Sequence, residues 1–104
     1  MPGQDVPTLC CDMRGLLSFL ILHLLSERPM HGAQLADELA KRRGIRPSPG
    51  TIYPALKSLK EAGLIHEIRE GKTIIYSLTP RGKSGFSTAR VYFRRVFISV
   101  FKSG

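Results

Sequence analysis

Between Gly50 and Gly82 the chain reads GTIYPALKSLKEAGLIHEIREGKTIIYSLTPRG, and within this block the hydrophobic period changes. Ile52, Leu56 and Leu59 recur at i, i+4 and i+7 as an apolar stripe, and Tyr53, Lys57 and Lys60 repeat that spacing about 100° further round the helix. One face suits a core; the other suits something anionic. After Gly63 the residues Leu64, His66 and Ile68 alternate with Ile65, Glu67 and Arg69. Glu70-Gly71-Lys72 then turns, and Thr73 to Leu78 is β-branched and aromatic. Helix, strand, basic turn and strand in this order predict the back half of a winged helix-turn-helix, with a two-stranded wing at about 64–78.

The flanking segments complete that architecture. Helix 1 is expected to open with Asp12 as N-cap and to run to about Glu27. Leu16, Leu17, Phe19, Leu20, Ile21, Leu22, Leu24 and Leu25 make it apolar round most of its circumference. Such a helix is covered on more than one side, by its own core and by a partner chain or ligand. Arg28 and Pro29 break it. Helix 2 starts at His31 or Gly32, turns Leu35, Ala36 and Leu39 inward and Asp37 and Glu38 outward, and ends on Lys41, Arg42 and Arg43 before Gly44. Ile45 to Pro49 form the turn, with Ser48 as N-cap and Pro49 at the first helical position, which leaves Pro54 around the first turn. Thr79 is expected to cap a last helix from about Pro80 to Lys102, its start weakened by Gly82 and Gly85. Along it Phe86, Ala89, Phe93, Val96, Phe97 and Val100 hold one seam, with Arg90, Arg94 and Arg95 off it. The expected fold class is α+β, mainly α. Residues 1–11 form a flexible arm, 12–79 the winged helix-turn-helix domain, and 80–104 an added C-terminal dimerisation helix.

Four stretches of this sequence resemble the PadR-like family of transcriptional regulators. Gly50 to Leu56 is similar to the family's Gly-Thr-Ile/Leu-Tyr-Pro-x-Leu recognition helix, Glu61 to Ile65 to its helix exit, and Tyr76 to Gly82 to the end of its wing; LLSERPMHGAQLADEL, Leu24 to Leu39, looks like the family's passage from helix 1 to helix 2. The resemblance implies a homodimeric, repressor-type DNA binder whose dimer is made by helices outside the reading head. It also marks His31 as structural. Relatives that take flat aromatic compounds hold them between helix 1 and the last helix, some with a tryptophan. This chain has none, and has Ala33 where an aromatic often follows His-Gly. Phe19, Phe93, Phe97 and Phe101 are the residues that would line such an effector space, although a phenylalanine stripe also reads as core. Arg81 and Lys83 stand where the family often has acidic residues, and suit either backbone contacts or plain surface.

Charge supports the same reading from a different direction. The 104 residues carry a formal net charge of +8, distributed as −3 over residues 1–40 and +11 over residues 41–104. A segregated positive half is the footprint of a polyanionic partner. Double-stranded DNA is therefore the expected partner; the resemblance adds a second copy of the chain and leaves a small aromatic effector open, and no membrane is expected. The apolar stretch Leu16 to Leu25 is too short to span a bilayer, and Met1 to Thr8 lacks the basic start of a secretory signal, so the expected location is cytoplasmic. No nucleophilic triad, phosphate-binding glycine loop or metal-ligand spacing is present. His23, His31 and His66 stand apart from one another and from ligand-spaced cysteines or carboxylates. Neither an enzyme nor a cofactor is expected. The adjacent Cys10 and Cys11 are expected to be dispensable; the alternative is an inter-chain disulfide where two arms meet.

The residues expected to meet DNA are Ser48, Thr51, Tyr53, Lys57 and Lys60 on the recognition helix and Arg69 and Lys72 on the wing, with Arg42, Arg43 and Arg46 extending the positive track. Which of them reads a base stays open, since Lys and Tyr serve either purpose. The residues expected to make the dimer are Leu17, Phe19 and Leu20 on helix 1 and Phe86, Phe93, Val96, Phe97 and Val100 on the last helix. The function these features predict is sequence-specific transcriptional regulation by a homodimer, with repression by promoter occlusion as the expected output. The alternative is a winged-helix protein-interaction module that needs no specific DNA.

Overall fold

The computed structural model describes residues 13–44 and 46–103. The expected N-terminal arm, the Asp12 cap, Cys10, Cys11 and Ile45 lie outside the described residues, as does the side chain of Arg43. The chain runs α1 (Met13–Glu27), β1 (Met30–His31), α2 (Gly32–Arg43), α3 (Pro49–Glu61), β2 (Ile65–Glu70), β3 (Thr73–Leu78) and α4 (Pro80–Ser103). This is the expected winged helix-turn-helix with a C-terminal helix.

Local chemistry accounts for most of the boundaries. Helix α2 opens with a reciprocal capping box: the Gln34 N–H donates to His31 Nδ1 at 3.2 Å, and the His31 N–H donates to Gln34 Oε1 at 2.9 Å. His31 is therefore a cap whose Nδ1 carries the lone pair. At the far end Gly44, at φ 81°, sends its N–H to the Ala40 carbonyl, a left-handed stop that glycine adopts without steric cost. The wing turn holds two central residues between the paired Glu70 and Thr73. Gly71 takes φ 61° in the first of them, as a type II′ hairpin turn requires.

The sheet has three strands, in the order β1-β3-β2, all antiparallel. This corrects the expected two-stranded ribbon. Met30 pairs with Tyr76 and His31 with Ile75, because Pro29 takes the chain out of α1 in an extended course and leaves two residues free to lie along the wing. A strand that short carries no periodicity of its own.

The core lies where α1 crosses the other elements. Leu17, Ile21, Leu24 and Leu25 of α1 meet Leu35, Ala36 and Leu39 of α2, Ile52, Leu56 and Leu59 of α3, and Ile65 and Leu78 of the sheet, all buried. Each helix thus buries the stripe its sequence displays, and each buried Leu or Ile contributes roughly 1.5–3 kcal/mol of gross burial.

Two expectations for this region are corrected. Pro54 is the sixth residue of α3, in the second turn, so the Gly50 carbonyl has no i+4 N–H to accept. Leu17, Phe86 and Phe93, expected at a dimer seam, are buried within a single chain. Phe19 packs between the two phenylalanines, with ring centroids 5.5 Å from Phe86 and 4.6 Å from Phe93. The first half of α4 therefore completes the core of the head. Its distal half runs on past it, giving an outline of 50 × 29 × 24 Å.

Candidate nucleic-acid interface

Helix α3 presents its polar row outward, as its sequence requires: Ile52, Leu56 and Leu59 are buried and Thr51, Tyr53 and Lys57 are exposed. Ser48 occupies the N-cap with extended backbone, but its side chain makes no capping bond. Its hydroxyl meets the Thr51 hydroxyl at 3.1 Å, and its carbonyl accepts from the Thr51 and Ile52 N–H groups. The expected side-chain cap is thus replaced by a pair of hydroxyls at the positive end of α3, where an anion is favoured.

The cations divide into engaged and open ones. Lys60 donates to Glu67 Oε1 of β2 at 3.1 Å, joining α3 to the wing. Arg46 pairs with Asp37, and Arg42 and Lys41 both donate to Glu38 at 3.1 Å. Those two hydrogen bonds hold the Glu38 carboxyl below its ordinary pKa. The positive track expected through Arg42 and Arg46 is therefore partly neutralised within α2 and the turn. Lys57, Arg69 and Lys72 have no carboxylate partner among the described residues. They form the uncompensated positive charge of this face.

Tyr53 and Lys72 come together at a cleft of about 330 Å³, lined by His31, Gly32, Ala33, Tyr53, Lys72, Thr73, Ile74 and Tyr76. Helix α3, the start of α2 and the wing all contribute to it. A Cβ placed on Gly32 would stand 2.5 Å from the Tyr53 hydroxyl, so the phenol rests against bare backbone. Tyr76, on the floor, is buried, and desolvation, with smaller effects from Glu67 and Tyr53, pushes its hydroxyl pKa up. Sequence reasoning selected Tyr53 and Lys72 but missed Gly32 and Tyr76. The signal for Tyr76 was its position in the wing pattern, which marked it only as strand.

The residues expected at a dimer seam fall into two groups. Besides the three buried ones, Phe19 and Leu20 pack partly buried against the core and Val96 is half-buried. Phe97 is 45% exposed and Val100 59%. Val91, Ile98 and Phe101, not singled out for the seam, are exposed beside them. Where the aromatic effector space was expected, Phe93 stacks on Phe97 at 5.7 Å and meets Phe19 in a tilted contact, so within one chain the rings fill one another's space. A separate groove of about 400 Å³ on α4 is lined by Ser87, Arg90, Val91 and Arg94.

Residues 21–88 match the model of the transcriptional regulator PadR-like family. A transcriptional regulator of Mycobacterium tuberculosis, Rv3488, is 36% identical over 81 residues, covering 74% of this chain and 75% of the relative. Among solved structures, a transcriptional regulator from Clostridium thermocellum superposes with a TM-score of 0.78 at 20% identity, covering 86% of this chain and 91% of the other. A PadR family regulator from Clostridium difficile superposes with a TM-score of 0.76 at 22% identity, covering 85% and 97%. At those identities the two structures speak for the fold. No helix among the described residues is long and apolar enough to cross a membrane.

Proposed function

The chain belongs to the PadR-like family of transcriptional regulators, and on that premise we propose that it binds operator DNA sequence-specifically as a homodimer and represses by occluding the promoter, in the cytoplasm. The observation that carries the proposal is the meeting of Tyr53 of α3 with Lys72 of the wing at one cleft, beside an outward row that continues to Lys57. A helix that inserts its N-terminal half in a major groove leaves its flanking wing over the adjacent backbone. The open cations Lys57, Arg69 and Lys72 stand where such a duplex would lie. Thr51, Tyr53 and Lys57 meet the groove or the backbone beside it in this reading, while Ser48, Arg69 and Lys72 meet phosphates; Lys60 joins them once it leaves Glu67.

A second copy is argued from the distal half of α4. Phe97, Ile98, Val100 and Phe101 are exposed within five residues, a concentration of apolar surface that monomers rarely leave uncovered. Pairing there would hold two reading heads at a fixed separation, as two half-sites require.

Fluorescence anisotropy on duplex DNA at several salt concentrations tests the proposal. Each neutralised phosphate contributes about −0.9 to the log–log slope, and two heads are expected to engage on the order of 6–10 phosphates. A slope shallower than about −2 would overturn the DNA reading. Lys57→Ala is expected to weaken a selected operator by roughly 1–3 kcal/mol more than random duplex. Equal losses on both would move Lys57 from base to backbone.

A further inference from the structure

Tyr76 is 6% exposed, and among the described residues no hydrogen-bond partner meets its hydroxyl. A buried polar group left unpaired is unfavourable and uncommon. Its ring lies on the floor of the cleft formed by Tyr53, the start of α2 and the beginning of β3, so the missing partner has a place to enter.

The other walls specify what that partner is. The Gln34 N–H is already taken by His31, but the Ala33 N–H, one residue earlier in the first turn of α2, has no intrahelical acceptor. The helix dipole adds positive potential at the same point. Tyr53, whose hydroxyl lies over Gly32, is 47% exposed and brings a second phenol to the rim. Lys72 supplies an ammonium with no carboxylate partner among the described residues. Glu67 lies across from Tyr76 in the strand register, and its carboxylate is held by Lys60 at 3.1 Å. Phenols, an amide and an ammonium are all donors, and together they suit an oxyanion.

We propose that this cleft seats a single phosphodiester of the DNA backbone, with the Tyr76 and Tyr53 hydroxyls and the Ala33 N–H donating to its non-bridging oxygens and Lys72 neutralising its charge. The inference rests on the DNA-binding function proposed above. A backbone phosphate fits better than a free small anion because Tyr53 belongs both to the cleft and to the outward row of α3. An anion held there is continuous with a duplex lying on Lys57. The seat fixes register without reading sequence.

The test compares wild type, Tyr76→Phe and Tyr53→Phe on a duplex selected from a randomised pool and on random duplex, with a methylphosphonate scan that neutralises one phosphate at a time. Tyr76→Phe keeps the ring and its packing, so its thermal midpoint is expected to be unchanged or raised. It is expected to weaken both duplexes by the same factor, about five- to tenfold. At one phosphate per half-site, methylphosphonate is expected to weaken wild type strongly and Tyr76→Phe much less. Tyr53→Phe, at the rim, is expected to show the same coupling. Wild-type DNA binding with additive losses at every phosphate, or with Tyr76→Phe binding like wild type, would overturn the seat alone. Failure of wild type to bind any duplex would overturn the DNA reading and the seat with it.

Discussion

The Thr79 hydroxyl donates to the Gly63 carbonyl at 2.6 Å. It also accepts from the Gly82 N–H at 2.9 Å, so one oxygen caps α4 and ties its first turn to the exit of α3. The Thr79 N–H adds a bond to the Leu64 carbonyl at 3.1 Å. Through this joint the exit of α3 is bonded directly to the start of the long last helix. If α4 pairs two chains, the same joint determines how the two heads are presented to a duplex.

Thr79→Val removes both side-chain bonds while keeping the shape. It is expected to cost about 1–2 kcal/mol, the loss of a half-buried cap and of an exposed hydrogen bond. Urea unfolding is expected to show a lower midpoint at unchanged slope. Thr79→Ser keeps the hydroxyl and is expected to stay much closer to wild type. A Val variant as stable as wild type would mean that the joint is held by backbone alone.

Gly82 and Gly85 look alike in the sequence and are expected to respond in opposite directions. A Cβ at Gly82 would run into the Leu64 carbonyl, whereas one at Gly85 would meet Leu64 Cδ2 at 3.5 Å, an ordinary contact. Gly82→Ala is therefore expected to destabilise by roughly 1–3 kcal/mol, since backbone must shift. Gly85→Ala is expected to stabilise by about 0.4–1 kcal/mol through lower unfolded-state entropy. Thermal midpoints of the two variants decide the matter.

Glu67→Gln releases Lys60 and removes a negative charge beside the wing. Exposed ion pairs contribute little to stability, so the fold is expected to be unaffected within about 0.5 kcal/mol. DNA affinity is expected to rise, with the salt slope steeper by up to about 0.9 per head as Lys60 gains a phosphate. An unchanged slope would show that Lys60 stays away from DNA whatever its partner.

Phe93 and Phe97 separate folding from assembly. Phe93 is 4% exposed against Phe19, while Phe97 is 45% exposed. Phe93→Asp is expected to cost at least ~3 kcal/mol by burying an unpaired charge. Phe97→Asp, alone or with Val100→Asp, is expected to leave a folded chain that sediments as a monomer and loses tight operator binding. A folded dimer of the Phe97 and Val100 double variant would place the interface elsewhere.

Much of this fold is legible residue by residue. The stripes Leu35, Ala36, Leu39 and Ile52, Leu56, Leu59 name their own buried faces, because a helix of fixed pitch leaves no other way to gather them. Gly44 and Gly71 mark a stop and a turn through their left-handed backbone, and Thr79 before Pro80 marks the start of α4. The outward row through Tyr53 and Lys57 follows from the same pitch, as does the charge that suits it to DNA.

What sequence alone determined, then, are the properties set within a few residues: pitch, caps, turns and which face is apolar. Periodicity says that a face is buried without saying against what, and the tertiary structure decided that. It put Phe86 and Phe93 against Phe19 in one chain and left Phe97, Ile98, Val100 and Phe101 exposed. It laid Met30 and His31 along Tyr76 as a third strand, although two residues show no period. It paired Lys60 with Glu67 and brought Tyr53, Lys72 and Tyr76 to the first turn of α2. These contacts join residues far apart in the chain. Their energies depend on distances that only the packing of α1 against the other elements establishes.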